Sequence, residues 1–178
     1  MKNDIKKVIL SEQDIKDICV RLGKQISVDY ENKNPLVIGL LKGCEPFVSD
    51  LLKCVNTYCE IEYMRVSSYQ GTESSGHIVI KSDVFADLIG RDIIIVDDIV
   101  DTGRTILYIK NLLLKRGAKS VSVCCLLDKP EGRKVDITVE YTGTTVPKEF
   151  VVGYGLDYNE RYRNLPYIGV LKEEIYQD

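Results

Sequence analysis

The sequence predicts an α/β fold, a mostly parallel twisted sheet flanked by helices. Continuous apolar, β-branched runs at 36–41 (LVIGLL), 93–96 (IIIV) and 120–127 (SVSVCCLL) read as strands buried on both faces, as parallel sheets require. Stretches with helical apolar spacing separate these runs, the alternation expected of strands joined by crossover helices. With 178 residues, 44% of them hydrophobic, the chain is long enough for one well-buried domain over 1–178 and too short for two.

Residues 8–10 (VIL) read as a short strand, after which Ser11 and Asp14 resemble a capping box. Ile15, Ile18, Cys19, Leu22 and Ile26 then fall on one helical face. A loop at 31–35 leads to the strand at 36–41, which ends at Lys42-Gly43 before Pro46 opens a second helix. From 58 to 66 the pattern alternates imperfectly. Cys59, Ile61 and Tyr63 are expected on a covered face, Glu60 and Glu62 on an exposed one. The Ser- and Gly-rich stretch at 67–76 is either a hairpin connection or a mobile lid, with His77 a surface residue at its foot and a strand at 78–80. After the run at 93–96, Ile106, Leu107, Ile109, Leu113 and Leu114 make a helix that ends in Lys115-Arg116-Gly117, a basic last turn followed by Gly. The strand at 120–127 completes a βαβ unit, which places Asp128-Lys129-Pro130 on the same sheet edge as Asp97. A loop at 131–134, strands at 137–141 and 150–155, and a last strand at 168–171 that closes the sheet complete the expectation.

The chemistry gathers at IIIVDDIVDTGRT, 93–105. Asp97 and Asp98 are expected at the carboxyl end of a parallel strand, where open α/β sheets bind ligands. Asp101, Thr102, Gly103, Arg104 and Thr105 lead directly into a helix, and such a turn can hold a phosphate. Gly103 lets backbone approach an anion, the hydroxyls and free N–H groups donate, and the helix terminus adds partial positive charge. Carboxylates repel phosphate, so the Asp pair is better suited to sugar hydroxyls or a divalent cation, and the ligand reads as a sugar phosphate. A plain alternative makes the pair solvated and Thr102 an ordinary N-cap; the thirteen-residue context argues against it. A phosphorylation receiver domain would need its Asp pair near the start of the chain, whereas here more than half the chain precedes Asp97. Lys42-Gly43 alone reads as a turn, and its place at a neighbouring strand end makes it a candidate for the same site.

Composition narrows the classes. Net charge is −3 and the basic residues are scattered, which argues against nucleic-acid or membrane binding. The first seven residues carry no apolar signal region, and a cytoplasmic protein is expected. Six cysteines without a C-x-x-C pair read as reduced, small core residues, and a metal cluster at Cys54 and Cys59 lacks further ligands.

Residues 93–105 resemble the phosphoribosyl-diphosphate (PRPP) motif of type I phosphoribosyltransferases. Together with LLKG ending at Gly43, the Ser68-Tyr69 lid, LLDKP at 126–130 and FVVGYGLDYNERYRNLPYIGVL at 150–171, the chain resembles the hypoxanthine-guanine branch of that family over almost its whole length. The resemblance implies the type I phosphoribosyltransferase fold, with a small hood formed by the N- and C-terminal segments. It implies transfer of phosphoribosyl from PRPP to hypoxanthine or guanine, giving IMP or GMP and pyrophosphate, with Mg2+ as cofactor and a homodimer or homotetramer as the assembly. By the same resemblance Asp97 and Asp98 take the ribose hydroxyls, 101–105 the 5′-phosphate, and Asp101 is also the base at purine N7. Lys42, Gly43 and Arg163 bind pyrophosphate, Lys129 the purine O6, Phe150 the ring face and Val151 the base through its backbone. Asp157 joins Asp97 and Asp98 in holding metal, and Ser68 and Tyr69 close over the reaction. Asp97 stands where some members carry Glu, Arg65 where a small residue is expected, and Gly155 replaces a frequent Ala. A regulatory protein that keeps the PRPP fold and binds RNA or DNA is the rival from another class; Lys129, Phe150, Asp157 and the negative charge argue against it.

Overall fold

The computed structural model describes residues 1–68 and 78–176. The elements are β1 (Ile5–Leu10), α1 (Glu12–Asp29), β2 (Leu36–Leu41), α2 (Glu45–Lys53), β3 (Glu60–Ser68), β4 (Ile78–Ser82), β5 (Asp92–Val100), α3 (Arg104–Lys115), β6 (Ser120–Asp128), β7 (Tyr141–Thr145), β8 (Val151–Val152) and β9 (Ile168–Leu171). Six strands form the main sheet in the order β4-β3-β2-β5-β6-β7, parallel except for β4. From β2 the chain crosses to β3 on one side, and from β5 to β6 on the other. The order therefore reverses between β2 and β5, and a crevice opens there at the carboxyl edge.

The expected burial of both faces is borne out. Ile94 and Val96 of β5 pack with Ile15, Leu22 and Phe47 of α1 and α2. Ile93 and Ile95 pack on the opposite face with Ile106, Ile109 and Leu113 of α3. Adjacent Cys124 and Cys125 divide between the two layers in the same way. All six cysteines are free thiols, and burial pushes the Cys19 thiol up to about 12, which suits a packing role rather than a reactive one. The capping box forms: Ser11 Oγ accepts from the Asp14 N–H, and the Ser11 N–H donates to the Asp14 carboxylate at 2.8 Å.

Several expectations are corrected. The strand at 93–96 does not stop before the Asp pair. β5 runs on to Val100 because β6 keeps pairing with it as far as Val100 with Asp128, whereas the ladder with β2 ends at Gly39 and Val96. Ile61 is 46% exposed, because β4 pairs only with residues 65–68 and leaves the start of β3 at the sheet margin. Residues 137–139 form no strand: Ile137 and Val139 lie against the α3 layer, and pairing with β6 begins only at Tyr141. The stretch 150–155 is extended only at Val151–Val152, since Gly153, Tyr154 and Gly155 take positive φ. β9 does not close the main sheet. It pairs with β1 and β8 in a separate three-stranded antiparallel sheet, the hood expected from the terminal segments. The lid expectation at 67–76, including Tyr69, and His77 fall outside the described residues, apart from the end of β3.

Candidate active site

Asp97 and Asp98 sit where the β2–β5 ladder has just ended, so their backbone is held on one side by β6 while the other faces the crevice. Both are half-buried. Asp97 Oδ1 accepts the Asp98 N–H at 3.1 Å, and Asp98 Oδ1 accepts the Ile99 N–H at 2.9 Å. Burial, and then the neighbouring Asp98 charge, hold the Asp97 carboxyl well above its ordinary range. Burial also raises Asp98, with its hydrogen bonds and the Arg163 charge pulling the other way. Such a pair gains from hydroxyl donors or a cation. Across the crevice, a Cβ on Gly43 would lie 1.7 Å from Asp98 Oδ2, so only glycine lets the β2 turn close on the pair.

The turn at 101–105 follows. Gly103, not Thr102, is the N-cap of α3, at φ 77 with no side-chain cap. The uncapped first turn leaves N–H groups for an anion. Thr102 Oγ1 accepts only a 3.4 Å contact from the Arg104 N–H, and Asp101, Thr102 and Arg104 are exposed, with Thr105 half-buried. Asp101 rests against Gly132, where a Cβ would come within 1.7 Å of its Oδ1.

Arg133, which the sequence reading left in a plain loop, fixes this corner. Its Nη1 donates to the carbonyls of Val100 at 2.7 Å and Asp101 at 2.6 Å, and its Nη2 pairs with Asp128. The Lys134 N–H adds a bond to the Thr102 carbonyl at 3.0 Å. An Arg close behind the strand end of β6 is the signal that was available.

Lys129 Nζ donates to the carbonyl of Glu149, twenty residues on, at 2.7 Å, which brings an ammonium to the backbone just before Phe150 and Val151. Phe150 is 37% exposed and Val151 is buried. The Phe150 ring stacks on Tyr176 and meets Tyr158 edge-on, with centroids 4.9 Å and 5.7 Å away. Tyr176 had no sequence signal beyond being aromatic.

On the other side of the crevice, a Cβ on Gly155 (φ 97) would fall 2.0 Å from the Gly43 carbonyl oxygen, so the hood lies directly on the β2 turn. The replaced Ala would not fit this approach without a backbone shift. Arg163 Nη1 donates to the Gly155 carbonyl at 2.6 Å, and its Nη2 pairs with Asp157 Oδ1 at 2.8 Å and Glu160 Oε1 at 3.4 Å. Lys42 Nζ reaches Glu160 Oε2 at 2.9 Å, and these two cations hold the Glu160 carboxyl below its ordinary range. The Leu41–Lys42 peptide is cis.

Among the described residues no three His, Cys, Asp or Glu side chains converge as a ready metal cage. Asp157 pairs with Arg163, and the Asp97–Asp98 pair carries mutually repelling carboxylates at the crevice. This arrangement fits magnesium, which binds through one or two carboxylates and takes its remaining ligands from water and substrate phosphates. No described helix is long and apolar enough to cross a membrane.

The phosphoribosyl transferase domain family matches residues 7–159. The chain is 52% identical to the hypoxanthine-guanine phosphoribosyltransferase of Streptococcus pneumoniae, over 100% of this chain and 99% of that protein. It is 54% identical to the bifunctional protein TilS/HprT of Listeria monocytogenes, where it spans only 28% of that protein's length. The crystal structure of a hypoxanthine phosphoribosyltransferase from Staphylococcus aureus matches with a TM-score of 0.97 at 49% identity, covering 100% of this chain and 97% of that one. The two full-length likenesses extend through the main sheet and the hood alike, and on these findings the chain belongs to the phosphoribosyl transferase domain family, among its hypoxanthine-guanine members.

Proposed function

We propose that this chain acts in purine salvage, joining the 5-phosphoribosyl group of PRPP to N9 of hypoxanthine or guanine, with IMP or GMP and pyrophosphate as products. The observation that carries the reading is the Lys129 bond to the Glu149 carbonyl, which sets an ammonium beside an exposed aromatic ring on the sheet edge that also carries the phosphate loop. An ammonium has three donors. One is taken by Glu149, and the others, without a partner among the described residues, would meet a 6-oxo group, whereas the 6-amino group of adenine would oppose donor to donor.

In this reading the turn 101–105 holds the 5′-phosphate, and Asp97 and Asp98 accept from the ribose 2′- and 3′-hydroxyls. The bond from C1′ to diphosphate breaks as the bond from C1′ to N9 forms, and Asp101 takes the purine proton through N7. Lys42, the Gly43 backbone and Arg163 receive the negative charge that develops on diphosphate. Phe150 stacks on the base, Val151 fixes it through backbone, and Ser68 and Tyr69 close over the centre. Asp97, Asp98 and Asp157 would hold magnesium, which would supply further positive charge against the leaving group. A homodimer or homotetramer of a single 1–178 domain, in the cytoplasm, completes the proposal on resemblance.

The test is PRPP-dependent nucleotide formation with hypoxanthine, guanine and adenine in parallel, with and without excess chelator. Products from the two oxopurines only, lost with chelator, are expected. Equal use of adenine would remove Lys129 as the selector, and full turnover in chelator would remove the metal.

A further inference from the structure

Asn159 and Glu160 are the two central residues of a tight turn closed by Tyr158 and Arg161, which exchange N–H to carbonyl bonds at 3.2 and 3.0 Å. Both have positive φ, 50 and 62. Asn tolerates that region; Glu is a poor choice where glycine is the default. The side chain held there has a specific reach. One carboxylate oxygen meets Lys42 at 2.9 Å and the other meets Arg163 at 3.4 Å, and these are the two cations of the proposed diphosphate site. The turn is fixed in turn to Asp157, whose Oδ2 accepts the Glu160 N–H at 2.8 Å. A locally unfavourable residue is thus maintained where it bridges two separated cations with the spacing of a bidentate anion.

We propose that Glu160 is a built-in competitor of diphosphate, a positioning residue that holds Lys42 and Arg163 when the site is free and yields them to the phosphate oxygens of PRPP. The exchange lowers the net affinity for PRPP and for pyrophosphate equally, so it eases product departure as much as it opposes substrate entry. It acts on the phosphate side, because Phe150 meets the turn only through the Tyr158 ring and not through the Glu160 carboxylate. Both ion pairs are exposed, so the effect is modest.

This inference rests on the proposed phosphoribosyl transfer, and its test separates the two. Glu160→Gln, Glu160→Asp and Glu160→Gly are compared with wild type for PRPP and hypoxanthine KM, for calorimetric binding of inorganic pyrophosphate with magnesium, and for Tm. All three variants are expected to bind pyrophosphate tighter and show a PRPP KM lower by about two- to fivefold, with hypoxanthine KM unchanged. Asp keeps the charge but is too short to bridge, so its inclusion distinguishes exchange of contacts from a distant field. Glu160→Gly should also keep or raise Tm, because it relieves the turn. Unchanged pyrophosphate binding in Gln and Gly variants of an active enzyme overturns the competitor role. A lower Tm in Glu160→Gly with weaker pyrophosphate binding assigns Glu160 to structure instead. Failure of wild type itself to use PRPP overturns the reading beneath it.

Discussion

The rings of Phe150 and Tyr176 lie stacked, 4.9 Å between centroids and 25° between planes, with more than a third of Phe150 still exposed. Tyr176 therefore backs the ring and leaves another part of it for a base. Such aromatic pairs contribute about 0.5–1.5 kcal/mol, so Tyr176→Leu should raise hypoxanthine KM roughly two- to tenfold with PRPP KM unaltered. Tyr176→Phe should restore it. Equal effects on both substrates, or none in Leu, would show that the stack does not orient Phe150.

Lys129→Ala removes the ammonium that joins β6 to the Glu149 carbonyl. Charged hydrogen bonds are worth about 1.5–3 kcal/mol, which sets a loss of roughly 10- to 100-fold in kcat/KM for hypoxanthine. PRPP binding, measured directly, should stay within about twofold. If PRPP affinity falls in parallel, Lys129 belongs to the phosphate side.

Asp101→Asn keeps the shape of the loop and its rest against Gly132 but loses the basic oxygen. General-base contributions of about 100- to 10,000-fold set the expected drop in kcat. PRPP affinity should hold or rise, since one negative charge near an anion is gone. Near-normal turnover would leave the phosphate loop in place and strike Asp101 from the chemistry.

Asp97→Asn tests the adjacent carboxylates by stability. The folded protein raises the Asp97 carboxyl above its ordinary 3.8, so ionisation is less welcome folded than unfolded. The penalty is fully present above the raised value and fades as pH falls through it toward 3.8. The variant should therefore melt higher than wild type near neutral pH, by about 2–4 °C for each kcal/mol relieved, and the gap should close in acid. PRPP affinity should fall. A gap that does not change with pH would mean that the pair is already neutralised by its surroundings.

Much of this was legible beforehand because burial on two faces leaves a local signature. The runs at 36–41, 93–96 and 120–127 needed no partner to be recognised, and the edge they share followed from handed βαβ crossovers. What escaped depended on contacts between distant residues. Whether β5 ended at Val96 or Val100 was decided by the unequal reach of its two neighbours, which no property of IVDDIV records. Ile137 and Val139 alternate as a strand would, yet they serve as a lining for α3, while the true edge strand, YTGTT, is polar and has its Thr142 and Gly143 carbonyls bound by Arg21 of α1. Arg133, Glu160 and Tyr176 look like surface residues until the chain brings their partners to them.

Arg133 ties the end of β5 to the end of β6 by holding the carbonyls of Val100 and Asp101 at the first and the Asp128 side chain at the second. The turn at 101–105 grows from the first strand and Lys129 follows the second, so the clamp fixes the gap between that turn and the ammonium. In the proposed reaction the clamp would act as a ruler, setting the length of base that can reach the ammonium from a docked 5′-phosphate.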